Sequence, residues 1–196
     1  MVSDSPRIIR IVVFLLVIIG LIWLIVFLFS KVLSGGNQTA PVTTTQLSSY
    51  ARSGTSVELM TDGPIVVNQE HRSIRITVEA AQSKIELISG YEGQVIRQEV
   101  FPNTQEGYLS FLKGLDTLGY TKGNKTALKD ERGQCPLQSR YVYSLKDNGS
   151  DVVRYWSTSC GTGNFGGNRI SVRTLFQRQI PPKVYNEFMR GFSARS

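Results

Sequence analysis

The longest apolar stretch of the chain covers residues 11–29, where nineteen consecutive residues carry no charge. An α-helix rises 1.5 Å per residue, so this stretch would be about as long as the hydrocarbon core of a bilayer is thick, roughly 30 Å. A cleaved signal peptide would usually have a shorter apolar region and a small-residue cleavage site, which the following SKVLSGG lacks. We therefore expect a retained transmembrane helix that contacts the lipid bilayer through residues 11–29.

The segments around this helix predict the topology. Arg7 and Arg10 precede the span, within a short tail over residues 1–10, and only one lysine follows it closely. This positive-inside bias favours a cytoplasmic N-terminus. Residues 30–56 are rich in Ser, Thr and Gly with little apolar periodicity, which is typical of a flexible linker. We expect residues 57–196 to form an extracytoplasmic domain.

The first half of that domain predicts strands and then a helix. Within residues 72–101, isoleucine and valine alternate with polar residues in SIRITVEA, and turn residues separate two further strand-like runs. Such alternation is typical of half-buried strands, so an antiparallel meander is expected. Over residues 104–118 the apolar residues recur every three or four positions, which predicts an amphipathic helix lying on the sheet.

Asn148 and Gly149 separate two alternating runs, RYVYSLKD and SDVVRYWST. Asn-Gly between such runs favours a two-residue hairpin turn. With these two residues in the loop, the ladder places Leu145 opposite Val152, Tyr143 opposite Arg154 and Tyr141 opposite Trp156. Tyr141, Tyr143, Arg154 and Trp156 then share the face expected to join the core.

The same ladder brings the two cysteines of the chain close together. Cys135 comes opposite residue 162, only two positions from Cys160, and slack after Pro136 would bring the α-carbons within disulfide range. A disulfide at the open end of the hairpin is expected. It favours an oxidising compartment.

The C-terminal segment, after the hairpin, predicts a strand and a helix. NRISVRTLFQRQI, residues 168–180, alternates like a strand, and residues 181–192 carry a helical apolar stripe after two prolines. The expected fold class is α+β: an antiparallel sheet with two helices packed on it, preceded by the transmembrane helix.

Charge is distributed unevenly along the chain. The net charge is +7; residues 37–106 carry five Lys/Arg and eight Asp/Glu, whereas residues 107–196 carry fourteen and six. The basic second half is suited to an anionic polymer, lipid headgroups or nucleic acid. Scattered solvated side chains explain it as well, because no run of basic residues concentrates the charge.

Gly161, Gly163 and Gly166 spell G-x-G-x-x-G, the fingerprint of a dinucleotide site. That fingerprint needs a helix after its third glycine, and the sequence after Gly167 predicts a strand. Glu187 has the right distance for the acidic partner but falls inside the terminal helix. A flexible connection between two strands explains the glycines better, so no nucleotide or other cofactor is expected.

Motifs for catalysis and metal binding are weak. The one histidine, His71, stands apart from any nucleophile motif, and Ser157 and Ser159 lie outside a G-x-S-x-G elbow. One histidine and two bonded cysteines cannot form a closed zinc site. DNGSD, residues 147–151, lacks the spacing of a calcium loop and is interpreted as a hairpin turn. We expect no catalytic or metal-binding residues.

Tyrosine, tryptophan and arginine are enriched at interaction surfaces. If one face of the hairpin joins the core, the opposite face is a candidate binding surface, extended by arginines of the next predicted strand. Its residues are Arg140, Val142, Tyr155, Arg169 and Arg173.

A longer sequence pattern supports the membrane-anchored, extracytoplasmic location. RYWSTSCGTGNFGGN and VRTLFQRQIP within residues 154–181, after GYEGQVIRQEVF and the helix over 104–118, resemble a pattern in uncharacterised membrane-anchored proteins of reduced-genome bacteria. The resemblance covers roughly residues 84–181 and implies an anchored, extracytoplasmic protein. It implies no activity.

Together these features predict a membrane-anchored, extracytoplasmic binding or structural module without catalytic activity, either on its own or as a subunit of an envelope complex. Its partner would be an envelope protein or an anionic polymer. One alternative is a tethered binder of polyanions or nucleic acid through the basic half, with nucleic acid not favoured. Another is an envelope hydrolase, or an inhibitor of one, with Ser157 or Ser159 as nucleophile.

Overall fold

The computed structural model describes residues 15–23, 46–124 and 130–193. The chain divides into two compact units, Met1–Thr44 and Thr45–Ser196. Each unit is therefore described by itself.

In the first unit, residues 15–23 are helical. The rest of the membrane span predicted over 11–29 lies outside the described residues, as do the predicted tail and most of the linker. Within the described ranges, no helix has both the length and the apolar character needed to cross a membrane.

The second unit is an α+β domain built on one antiparallel sheet of six strands, as the sequence predicts. The strand order is β4-β3-β2-β1-β5-β6. The packed part begins at Leu47, whose side chain is buried, rather than near Val57. The elements are a 3-10 helix η1 (Leu47–Tyr50), β1 (Thr55–Asp62), β2 (Arg72–Glu79), β3 (Gln82–Ser89), β4 (Gln94–Pro102), α1 (Gln105–Thr117), β5 (Arg140–Asp147), β6 (Ser150–Thr158), α2 (Arg169–Gln177) and α3 (Pro182–Ser193).

Helix α1 and its boundaries follow the sequence signals. The side chain of Thr104 accepts a hydrogen bond from the Gly107 amide at 3.0 Å, which satisfies one of the free amides of the first turn. Gly119, just beyond the last turn, has φ 75°, a left-handed conformation that glycine adopts without strain. The apolar stripe then faces the sheet, with Tyr108, Phe111, Leu112 and Leu115 buried.

The core lies between one face of the sheet and the helices. Ile74, Ile76 and Val78 of β2 point into it, as their alternation predicts. Phe111 of α1 meets Phe176 of α2 edge to face, with ring centroids 5.1 Å apart. Burial of large apolar side chains of this kind is the main favourable term in folding.

Residues 169–177 form helix α2, so the predicted strand over 168–180 is wrong. Val172 and Phe176, four positions apart, are buried, whereas Ile170 is 70% exposed. The Asn168 side chain caps the helix by accepting from the Ser171 amide at 3.0 Å. The sheet therefore carries three α-helices within the described part of this unit, instead of the two expected.

The β5–β6 hairpin forms with the predicted turn but a different register. Asn148 and Gly149 have φ of 49° and 80°, as an Asn-Gly turn requires. A bulge between Leu145 and Lys146 then shifts the pairing by one residue, so Tyr143 faces Tyr155 rather than Arg154.

Because side chains alternate between faces, this one-residue shift turns every following side chain of β6 to the other face. Tyr141, Tyr143 and Tyr155 share the face that carries the helices. Trp156 faces the other side, opposite Val142, and both are buried. The predicted pairs Leu145–Val152, Tyr143–Arg154 and Tyr141–Trp156 are wrong for this reason.

Two substitutions in α2 test the helix directly. We expect Phe176→Ala to lower the free energy of unfolding by about 3–5 kcal/mol, because it leaves a cavity in the core. Ile170→Ala, on the exposed side of the same helix, should change it by less than about 0.5 kcal/mol. Denaturant unfolding of both variants measures the difference. Similar losses would contradict the helix, because a strand places residues 170 and 176 on the same face.

Candidate functional site

The disulfide ties two loops together at one end of the sheet. Cys135 and Cys160 are bonded, with α-carbons 5.9 Å apart, which confirms the predicted pair. The bond joins the loop that enters β5 to the loop that leaves β6. Such a bond points to an oxidising, extracytoplasmic compartment. A closed loop of about 25 residues stabilises a fold by about 3 kcal/mol.

The residues predicted to form a binding surface are not gathered on one exposed face. Arg140, Val142 and Tyr155 are all buried. Arg140 and Val142 lie on the face opposite the helices, whereas Tyr155 lies on the helix face because of the bulge. The alternation of β5 and β6 identified half-buried strands but did not show that both faces are covered.

Arg169 and Arg173 lie on α2 rather than on a strand. The guanidinium of Arg173 lies 4.2 Å from the ring centroid of Tyr141, a cation–π contact. Arg169 donates to the carbonyl of Gly161. Both side chains are half-buried, so they serve to hold α2 against β5 and against the glycine-rich loop.

The glycine-rich loop, residues 159–168, connects β6 to α2. A helix therefore does follow the third glycine, and the sequence-based reason for excluding a dinucleotide site was wrong. The loop's own hydrogen bonds now weigh against a phosphate site. The amides of Asn164 and Phe165 donate to the carbonyl of Trp156, and the Gly166 amide donates to Lys122. A phosphate cradle needs such amides to be free.

Close backbone packing explains two of the glycines. A Cβ on Gly163 would lie 2.4 Å from the carbonyl oxygen of Trp156, and one on Gly167 would lie 2.5 Å from that of Gly119. No side chain fits at such distances. The loop therefore folds back along the outer edge of β6, where Gly163 bridges to Ser157.

Ser157 and Ser159 have tyrosine neighbours. The Ser157 hydroxyl is buried and lies 3.0 Å from the Tyr143 hydroxyl. Burial raises the pKa of Tyr143, so this phenol stays protonated near neutral pH. Ser159 lies 3.3 Å from the hydroxyl of Tyr141. These partners position the hydroxyls but supply no general base of the kind a serine nucleophile uses.

A buried polar cluster forms at the same end of the sheet, around the carboxylate of Asp62. Arg140 donates to Oδ2 from Nε at 2.9 Å and from Nη2 at 2.5 Å. Ser73 donates to Oδ1 at 2.8 Å, and Nε2 of His71 lies 2.8 Å from the same oxygen. His71, Ser73 and Arg140 are at most 2% exposed. The cluster therefore joins β1, β2 and β5, with buried partners around a carboxylate that is 18% exposed.

The cluster also fixes the loop between β1 and β2. Nη2 of Arg140 donates to the carbonyl of Gly63 at 2.7 Å, and Nδ1 of His71 lies 3.1 Å from the carbonyl of Pro64. The His71 ring stacks on Tyr91, with centroids 4.0 Å apart. The Tyr91 hydroxyl donates to the carbonyl of Val66 at 2.8 Å. Loop 63–71 is thus held from both sides.

A groove of about 680 Å³ opens beside this loop. One wall is the loop itself, the second is the segment that the disulfide fixes, and the third is the C-terminal end of α3. Ile65 donates its amide to the carbonyl of Pro136 at 2.7 Å, which joins the first two walls. The lining residues include Ile65, Val66, Arg72, Leu137, Ser139 and Phe192.

Several large apolar side chains are exposed at or near the groove, beside its polar lining residues. Among the lining residues, Leu137 is 85% exposed, and Ile65 and Val66 are exposed as well. Two further exposed apolar residues lie beside Val66: Val67, which follows it in the chain, and Tyr91, which donates to its carbonyl. Contiguous exposed apolar residues edged with polar groups mark interaction sites. Sequence reasoning missed this groove, because its walls come from three distant segments.

The basic residues of the second half are partly neutralised. Several lysines and arginines of residues 107–196 contact a carboxylate. The pairs are Arg132–Asp130, Arg140–Asp62, Lys146–Glu58 and Arg154–Glu131. The domain therefore presents less free positive charge than the residue count suggests, which weakens the polyanion alternative.

The groove combines exposed apolar side chains with polar wall groups, beside the loop that the Asp62 cluster fixes. Such a surface can bind an extended segment that carries apolar side chains. No protein-family model matches the chain, and comparison with curated proteins gives no significant match.

Proposed function

We propose that the protein is a membrane-tethered, extracytoplasmic binding module whose binding site is the groove between loop 63–71 and Leu137. The observation that carries this proposal is the exposure of large apolar side chains around the groove, above all Leu137. Exposing them to water is unfavourable unless a partner covers them. The disulfide and the Asp62 cluster hold the walls, so little conformational entropy is lost on binding.

The partner that fits this groove is an extended segment of an envelope protein. Ile65, Val66 and Phe192 offer contacts to apolar side chains, and Arg72, Glu70 and Ser139 line the same space with polar groups. The groove lining carries one basic residue, Arg72, together with the acidic Glu70, whereas an anionic polymer is bound by clustered Lys and Arg. A protein segment is therefore the favoured ligand class.

The anchor is the second part of the proposal. The uncharged stretch over residues 11–29 has the length of a membrane span, and the two arginines before it favour an inner N-terminus. The disulfide favours an oxidising location for the second unit. A tethered module of this kind would remain near the membrane and sample partners there, at a high effective concentration.

Thiol labelling of intact cells tests the anchored topology. With a membrane-impermeant maleimide, we expect Cys135 and Cys160 to react only after an external, impermeant reductant is added. The protein should remain in the membrane fraction after a high-salt wash, because an apolar anchor is not released by salt. Cysteines that are free on lysis but never reached from outside would contradict this topology.

Site-specific photo-cross-linking tests the groove. A photoreactive phenylalanine derivative is placed at Leu137 or at Ile170 in the full chain, in its own membranes. Both residues are at least 70% exposed, so neither change should disturb the fold. We expect one discrete adduct with an envelope protein from position 137 and none from position 170.

The adduct should also disappear when Ile65→Asp is added, because a charge in the groove wall disfavours an apolar ligand. Adducts of equal yield from both positions, or an adduct that survives Ile65→Asp, would contradict binding in the groove.

A further inference from the structure

The two edge strands of the sheet, β6 and β4, differ in what covers their outer edges. At β6, the glycine-rich loop folds along the outer edge, where Trp156 accepts from two loop amides and Thr158 donates to Thr162. At β4, no other strand of the described chain lies beyond the outer edge. An open strand edge is a template for pairing with another strand.

The hydrogen-bond pattern identifies which groups of β4 point outward. The Asn103 amide donates to the carbonyl of Ala81, in register with the β3–β4 ladder. Antiparallel partners alternate between bonded and non-bonded pairs. Arg97, Glu99 and Phe101 therefore bond inward to β3, whereas the N–H and C=O of Gln98 and Val100 point out to the edge.

Features that usually block an edge are few in the middle of β4. Two such features bound this middle part: Pro102, which lacks an N–H, and the bulge at Ile96, which has no partner between the pairs Arg97–Leu87 and Val95–Ile88. Over residues 97–101 the strand is regular, and its side chains are largely exposed, including that of Val100. One arginine and one glutamate leave it without the net charge that repels a second copy.

We propose that β4 pairs with β4 of a second copy of this chain, antiparallel and with Gln98 on the two-fold axis. Gln98 then exchanges both backbone hydrogen bonds with Gln98 of the second copy. Arg97 comes opposite Glu99 of the second copy, and Glu99 comes opposite its Arg97. The segment RQE, residues 97–99, is thus complementary to itself, as a two-fold interface requires. The two six-stranded sheets become one continuous sheet.

Charge selects this register over its neighbours. Two β4 edges can pair only if residues whose N–H and C=O point outward lie opposite each other. Gln98 and Val100 must therefore face outward-pointing residues of the second copy. With the axis at Arg97, two arginines face each other, and with the axis at Glu99, two glutamates do. Like charges directly opposite destabilise a strand pair, whereas opposite charges stabilise it. Only the axis at Gln98 gives two attractive pairs.

The present contacts of these side chains are compatible with the pairing. Arg97 contacts Glu99 at 2.5 Å and Glu187 of α3 at 3.0 Å, and its guanidinium lies 4.5 Å from the ring centroid of Phe188. Both side chains of the pair remain at least one-third exposed. They are therefore held on the face where the second copy's Arg97 and Glu99 would arrive.

Charge reversal tests the proposal on the full chain in nanodiscs or detergent. Glu99→Arg places two arginines opposite each other, and we expect it to raise the dimer Kd by about tenfold or more. It leaves the Arg97–Glu187 pair in place, so thermal unfolding should be nearly unchanged.

Arg97→Glu should weaken the dimer likewise. Mixed together, the two variants should form a heterodimer at least as tight as the wild-type dimer. A wild-type chain that stays monomeric, or a mixture no more associated than its components, overturns the proposal.

Cysteine cross-linking tests the register. Gln98→Cys should form an intermolecular disulfide, because the α-carbons of a bonded cross-strand pair are about 5.5 Å apart. Gln94→Cys, on the same exposed strand, should not, because residue 94 faces residue 102 and its own copy lies about 27 Å away. Equal cross-linking at both positions, or cross-linking at residue 94 alone, overturns the register.

Discussion

The second unit depends on one partly buried carboxylate. Asp62 lies at the end of β1 and accepts hydrogen bonds from residues of β5, β2 and the loop before β2. Its main partner, Arg140, is 2% exposed and has Nη1 buried without a partner among the described residues. Removing the carboxylate would leave a buried positive charge uncompensated, which costs about 3–5 kcal/mol. The strand ends and loop 63–71 therefore depend on the Asp62 side chain for their positions.

The groove is a consequence of this constraint and of the disulfide. The Asp62 cluster fixes one wall, and the Cys135–Cys160 bond fixes the segment that carries Leu137. Neither wall belongs to regular secondary structure, so neither would be rigid without these ties. The fold concentrates its rigidity at one end of the sheet, where it exposes apolar side chains. That combination fits the preorganised binding site that we propose.

The sequence predicted those features whose signals are local. The alternation in β2, the stripe in α1, the Asn-Gly turn and the cysteine pair lie within short segments, and the structure confirms them. Helix α2 was missed because Ile170 and Val172 alternate like strand residues; the cap at Asn168 was the signal for a helix. The bulge in β6 was missed because one extra residue leaves no mark in composition. The Asp62 cluster joins residues 9 and 78 positions apart, which no periodicity reveals.

Amide hydrogen exchange of the Asp62→Asn variant of the full chain would test this account most directly. The control is Asp147→Asn, whose partner Arg52 is mostly exposed and whose loss should have little effect. For Asp62→Asn, the account predicts faster exchange of the Gly63, Ile65 and His71 amides, by about tenfold or more, with α1 unchanged. Exchange of these three amides at the wild-type rate would contradict the claim that Asp62 holds the groove.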